Sequence, residues 1–260
     1  MKHWRPNPGR RLSGRLKPLA AGMAFVLAAW GVVRADEASD PFQQGRELAG
    51  HLLAQRPSEA YASGGMLKIK GPGGYRQEAV LRCDITCTTT NWSTTYTVGT
   101  GVCERLVIVH AAGAPNRYEH QLPNGPVTEI SGGDLMTPLS DSDFWLADLG
   151  LEFLHWPQQK VLRKEVKRSQ GCTVLESCNP HPVANGYARV ISWVDTENGG
   201  VVQAFAYDAR NQLCKEFYPK DFKKVNGQWQ VGKLEMNNDL TGSRTTLELN
   251  PSPSADLPQK

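Results

Sequence analysis

No GxSxG elbow, HExxH pair or Walker phosphate loop occurs in the 260 residues. The absence removes the commonest nucleophile, metal and nucleotide machineries. The one glycine cluster, Gly71–Gly74, lacks the lysine and the strand–helix setting of a phosphate loop. Neither CxxC nor HxxxH spacing is present, so zinc and other metals are not expected, and no cofactor is implied. No internal repeat and no internal linker interrupt the chain. No acid precedes Asp36, whereas Lys2, Arg5, Arg10, Arg11, Arg15 and Lys17 crowd the first stretch.

Those basic residues lead into the apolar run 18–33 and then Val33-Arg34-Ala35, with small residues at −3 and −1. That order predicts a secretory signal cleaved after Ala35 and an exported mature protein. Sixteen apolar residues are short for a membrane span of roughly 20. Arg10-Arg11 raises the twin-arginine route, but Leu12-Ser13-Gly14 lacks the usual apolar pair, which favours ordinary export. No cysteine stands at the cleavage site, so a lipid anchor is not expected. Removing residues 1–35 leaves 22 basic against 26 acidic residues. The positive balance of the whole chain is therefore a targeting feature, and nucleic acid is not an expected partner.

Export makes disulfides among Cys83, Cys87, Cys103, Cys172, Cys178 and Cys214 possible. If 172–178 is one strand its ends lie about 20 Å apart at 3.4 Å per residue, too far for a bond that needs under about 7 Å. Cys83 and Cys87 meet the same objection, and the remaining pairings stay open.

Asp40-Pro41-Phe42-Gln43 reads as a capped helix start, with Phe42, Leu48, Ala49, Leu52 and Leu53 on one face and Arg56-Pro57 as its end. Residues 66–131 read as short strands separated by turns. In 139–156, Ser140, Asp141 or Ser142 caps a short helix that Gly150 stops, and Leu151–Trp156 alternates like a strand. Strands at 160–168 and 172–178 precede a meander over 187–250, whose runs are β-branched or aromatic. Its turns are Asn198-Gly199, Asp208–Asn211, Asn226-Gly227 and Thr241-Gly242. Residues 251–260 read as a disordered tail.

The blocks SDFWLADLGLEFLHWP (142–157), CTVLES (172–177), YARVISWVD (187–195), AYD (206–208), FKKVNGQWQ (222–230) and TGSRTTLEL (241–249) are similar to the LolA/LolB-like superfamily of periplasmic lipoprotein carriers. The likeness is greatest to the outer-membrane lipoprotein-sorting branch and covers about 60–250. It implies a mainly β fold with a few helices, an incomplete antiparallel half-barrel around a helical lid; 59–250 is then the barrel, and 36–58 is the N-terminal helix marked by its capped start and its Arg56-Pro57 end. It also implies a periplasmic localisation and a cargo of lipid or acylated lipoprotein, with membrane-bound donor and acceptor proteins as expected partners; a monomer is expected. The six cysteines depart from the family pattern, and no cargo-contacting residue is carried over by motif.

A lipid site needs little polar machinery, because each buried methylene contributes roughly 0.8 kcal/mol, so one acyl chain is worth about 10 kcal/mol before binding costs. Period-2 alternation nominates Ile191, Trp193, Phe205, Phe217, Leu234, Met236, Leu247 and Leu249 as inward residues. Phe144, Leu146, Leu149, Phe153 and Trp156 could complete the wall; ordinary core packing is the competing reading for each. His155 reads as a strand-face residue, and Asp143, Asp148, Asp195 and Asp208 as caps and turn formers, so catalysis is not expected. The alternative function is an envelope-stress sensor that binds a regulator with the same fold. An open apolar trough is the expectation, and a flat or side-chain-plugged interior with no route in from solvent would remove the carriage proposal while leaving the all-strand topology.

Overall fold

The computed structural model describes residues 40–225 and 228–251, without the side chains of 223–229 and 251. The signal segment, the Asn226-Gly227 turn and the tail beyond Pro251 lie outside them. Two helices and 13 strands follow in chain order: α1 (Pro41–Leu53), β1 (Tyr61–Lys70), β2 (Arg76–Cys87), β3 (Asn91–Val98), β4 (Glu104–Ala111), β5 (Arg117–Gln121), β6 (Val127–Ile130), α2 (Leu146–Leu149), β7 (Gln158–Lys167), β8 (Gln170–Cys178), β9 (Arg189–Asp195), β10 (Val201–Tyr207), β11 (Leu213–Val225), β12 (Gln228–Asn238) and β13 (Ser243–Pro251).

All strands form one antiparallel sheet in the order β6-β5-β4-β3-β2-β1-β13-β12-β11-β10-β9-β8-β7. β6 and β7 do not pair with each other, so the barrel stays unclosed. This is the mainly antiparallel half-barrel expected from the sequence. Its two halves are seamed by β1 against β13, with Leu67 opposite Leu247.

Turn chemistry follows the side chains. Asp195 accepts from the Glu197 amide (2.8 Å), and Gly199 takes φ +66°. Asp208 accepts from the amides of Arg210 and Gln212 while Asn211 sits at φ +63°. Gly242 takes φ +70° beside Thr241. Pro219 lies inside β11, beyond the last residue paired with β10, where a missing N–H costs the ladder least.

In α1, Asp40 caps the Phe42 amide at 3.0 Å, as expected. Gln43 does not complete a capping box, because its amide donates to Glu47. Phe42 is 44% exposed rather than packed, and only Ala49, Leu48, Leu52 and Leu53 join the core. A Cβ added to Gly45 would lie 2.4 Å from the Gln159 carbonyl carbon. Close approach to β7 thus requires glycine in mid-helix, despite a propensity cost of about 1 kcal/mol.

Leu151–Trp156 is not a strand. Leu151 is left-handed (φ +49°), and Glu152–His155 forms a 3-10 turn with Phe153 and Leu154 both buried. Adjacent buried residues fit a tight helical turn and break two-residue alternation. The buried Gln159 amide holds the turn by donating to the carbonyls of Phe153 (3.0 Å) and Trp156 (2.9 Å), while Ser177 donates to its oxygen. All six cysteines are free, so no disulfide staples the sheet.

Candidate functional site

Because β6 and β7 lie at opposite edges of the sheet, the chain joining them must cross it. Residues 131–157 do so over one face as short turns: 3-10 turns at Gly132–Met136, Leu139–Asp141 and Glu152–His155, with the four-residue α2 between. Along this segment Leu139, Phe144 and Leu146 are fully buried against Leu67, Met236 and Leu247. Farther on, Phe153 and Leu154 pack on Leu175, Val190 and Ala204 together with α1.

Polar fastenings hold the segment. Glu104 on β4 accepts from the Ser140 amide (2.8 Å) and hydroxyl (2.6 Å), and its other oxygen meets His120 at 2.7 Å. Asp143, expected near a helix end, instead bonds the sheet. Its amide donates to the Thr245 hydroxyl, and its carboxylate accepts from Thr245 (2.8 Å), Asn238 (3.1 Å) and Ser243. Asn116 donates to the Gly150 carbonyl, and Tyr118 donates to Glu152. A Cβ at Gly150 would fall 2.1 Å from the Tyr118 hydroxyl.

At the centre lies a buried ion pair. Asp148 caps α2 by accepting from the Trp145 amide (2.8 Å), and the same oxygen accepts from Tyr187 (3.3 Å) and lies 3.5 Å from the Lys215 ammonium. Lys215, with 3% of its side chain exposed, sits 3.6 Å over the Trp145 ring, which stacks on Tyr187 at 4.4 Å. Burial pushes the Asp148 carboxyl up and the Lys215 ammonium down, each toward its neutral form; each partner opposes the other's shift.

Beside this pair the crossing segment leaves a cavity of about 20 Å³, space for one water. The expected open trough is therefore filled in this structure, since ligand pockets usually run to about 300–1,000 Å³. Of the residues nominated from sequence, Phe153, Phe217 and Met236 line the cavity. Phe144, Leu146, Leu149, Leu234, Leu247 and Leu249 lie in the adjoining core on the same face, and Trp156 packs beside Phe153 and Leu154.

Ile191, Trp193 and Phe205 are on the opposite face, which corrects their inward assignment. Val190, Ser192 and Val194 point inward instead, and Phe205 is flanked by the inward Ala204 and Ala206. Both phases of alternation are apolar here, because the outer face carries its own cluster of Cys172, Val174, Trp193 and Val202. Lys167 covers that cluster at 4.6 Å from the Trp193 ring, and the Trp193 indole N–H donates to Glu165.

Lys215 was missed by sequence reasoning, although it stands two residues before the inward Phe217 and must share its face. His155 lies in the 3-10 turn rather than on a strand face; its Nε2 is buried without a hydrogen-bond partner among the described residues, and burial lowers its pKa. His181 sits in the loop after β8, its amide held by the Asn179 side chain. Burial pushes the Cys83 thiol up to about 12, the state of a packed thiol rather than a nucleophile.

A family model with the description Uncharacterized protein matches residues 123–257, just over half of the chain. No curated protein matches significantly. A DUF1329 family protein from Desulfovibrio piger superposes with a TM-score of 0.70 at 19% identity, over 84% of this chain and 95% of that one. A putative outer membrane lipoprotein-sorting protein domain from Vibrio parahaemolyticus gives 0.69 at 18% identity over the same shares. A LolA superfamily protein from Nitrosomonas europaea gives 0.58 at 17%, again over 84% and 95%. The chain belongs to the family whose model spans 123–257, and it has the LolA-like half-barrel fold.

Proposed function

We propose that this protein is a non-catalytic periplasmic carrier of lipid or lipoprotein acyl chains in outer-membrane lipoprotein sorting, and that residues 138–157 are the lid over its site. The filled interior counts against a standing open trough, and the observation that carries the reading is instead what fills it: one crossing segment of short turns covers the apolar face, where a second sheet would seal it. Export rests on the basic and apolar N-terminal sequence. The role follows the description of the Vibrio lipoprotein-sorting domain with the same fold.

Magnitudes favour exchange. Leu139, Phe144, Leu146, Phe153 and Leu154, the large buried apolar side chains of the segment, contribute about 1.5–3 kcal/mol each, roughly 8–15 kcal/mol together. One acyl chain supplies about 10 kcal/mol on the same scale. In apolar burial, lid and cargo are thus fillings of the same order, and the polar fastenings of the segment are what cargo must additionally displace. Ser140, Asp141 and Leu151 all hold positive φ in the closed segment, each at about 1–2 kcal/mol, which tilts the balance toward release.

The test is to purify the mature chain from envelopes without detergent, extract it and analyse the extract by mass spectrometry. Near-stoichiometric acyl lipid or acylated peptide is the expected result. Repeatedly empty protein would contradict carriage, and a lipid-free membrane protein co-purifying with the chain would point to the sensing alternative.

A further inference from the structure

Among the described residues, Lys215 is the one buried lysine or arginine. It stands on the sheet, whereas its counter-ion Asp148 and the Trp145 ring it sits against both stand on the crossing segment. The ion pair is therefore split between the moving and fixed parts of the site. When the segment withdraws, Asp148 and Trp145 leave with it, and the ammonium remains on a face of Val190, Ala204, Phe217 and Met236, with the neutral Tyr187 ring 5.6 Å away and no counter-charge among the described residues. An uncompensated charge on such a surface is costly, and a negative group placed there removes the cost.

The other inward carboxylates do not supply one. Asp143 departs with the segment, and Glu104 keeps His120 as its partner.

We propose that Lys215 is the headgroup anchor of the trough, that Asp148 occupies the headgroup position in the closed form, and that the ligand is a long-chain amphiphile with an anionic carboxylate or phosphate head. The inference rests on the carrier reading and narrows its cargo. An apolar tail takes the place of the lid side chains, and a negative head takes the place of the lid carboxylate. A charge-assisted bond to a desolvated ammonium should be worth about tenfold in affinity or more.

The experiment titrates the mature protein with oleate, with a monoacyl glycerol phosphate and with oleyl alcohol, each displacing a bound fluorescent fatty probe. Wild type should prefer an anion over the alcohol by about tenfold or more, and the two anions show whether carboxylate or phosphate is the better head. Asp148→Asn should tighten the two anions by more than it tightens oleyl alcohol, because it removes the internal competitor for the ammonium; equal tightening of all three would mean that Asp148 only fastens the segment and would overturn its headgroup role. The double variant Asp148→Asn/Lys215→Met strands no buried charge and should lose the preference altogether. Equal affinity of wild type for oleate and oleyl alcohol, or a preference that survives the double variant, overturns the headgroup role while leaving carriage standing. Failure to bind any of the three ligands overturns carriage and the anchor together.

Discussion

Lys215 and Asp148 illustrate how single residues decide what this face can hold. Apolar neighbours alone would make a plain core; on the proposed reading, one ammonium on the sheet and one carboxylate on the crossing segment make it a site. Another residue sets a pH response. His110 on β4 stacks on Trp92 at 3.7 Å and 15°, and burial lowers its pKa from 6.5 to about 4, with the Asn116 side chain opposing the shift. Between those values the unfolded chain binds a proton that the folded protein refuses, so stability falls as pH drops from about 6.5 toward 4. His110→Gln should flatten that fall, reducing the loss between pH 7 and pH 4.5 by on the order of 2 kcal/mol after allowing for its remaining exposure. Urea melts at the two pH values read the difference, and an unchanged slope would remove His110 from the account. At this scale the sequence was legible wherever one face is polar: Phe217, Met236 and Leu247 fall inward as alternation requires. It misled at Ile191, Trp193 and Phe205, where both faces of β9 and β10 are apolar and the phase has no polar marker.

Between elements, close approach matters more than propensity. Gly45→Ala would gain about 1 kcal/mol in an isolated helix. In the protein the new Cβ meets the backbone of Gln159, which cannot swing aside. The clash should win, at a net loss of about 1–3 kcal/mol, read as a lower urea midpoint for unfolding. A variant as stable as the parent would mean that α1 stands off β7. The strands, the α1 cap and the Asn211 and Gly199 turns were readable because each rests on local chemistry. The turn at 152–155 was not, because Phe153 and Leu154 owe their burial to α1 and β8, and the Gln159 that holds the carbonyls gives no local signal. Asp143 looked like a helix cap for the same reason; its partners lie about a hundred residues away, on β12 and β13.

As a whole molecule, the protein is an open sheet whose ends are joined across its own interior. The topology forces some chain over that face, and the composition of 131–157 makes the chain a filling with polar fastenings at Ser140, Asp143, Asp148, Gly150 and Glu152. The half-barrel was legible from the meander and the block pattern. The closed state was not, because alternation tells which residues face inward but not what lies against them.

Hydrogen exchange of the mature protein with and without saturating oleate tests the lid most directly. The amides of Leu146 and Leu154, bonded in the closed form to the Thr137 and Leu151 carbonyls at 3.0 and 2.9 Å, should exchange faster with oleate by about an order of magnitude while β11–β13 keep their protection. Oleate bound with those amides as protected as before would contradict the account.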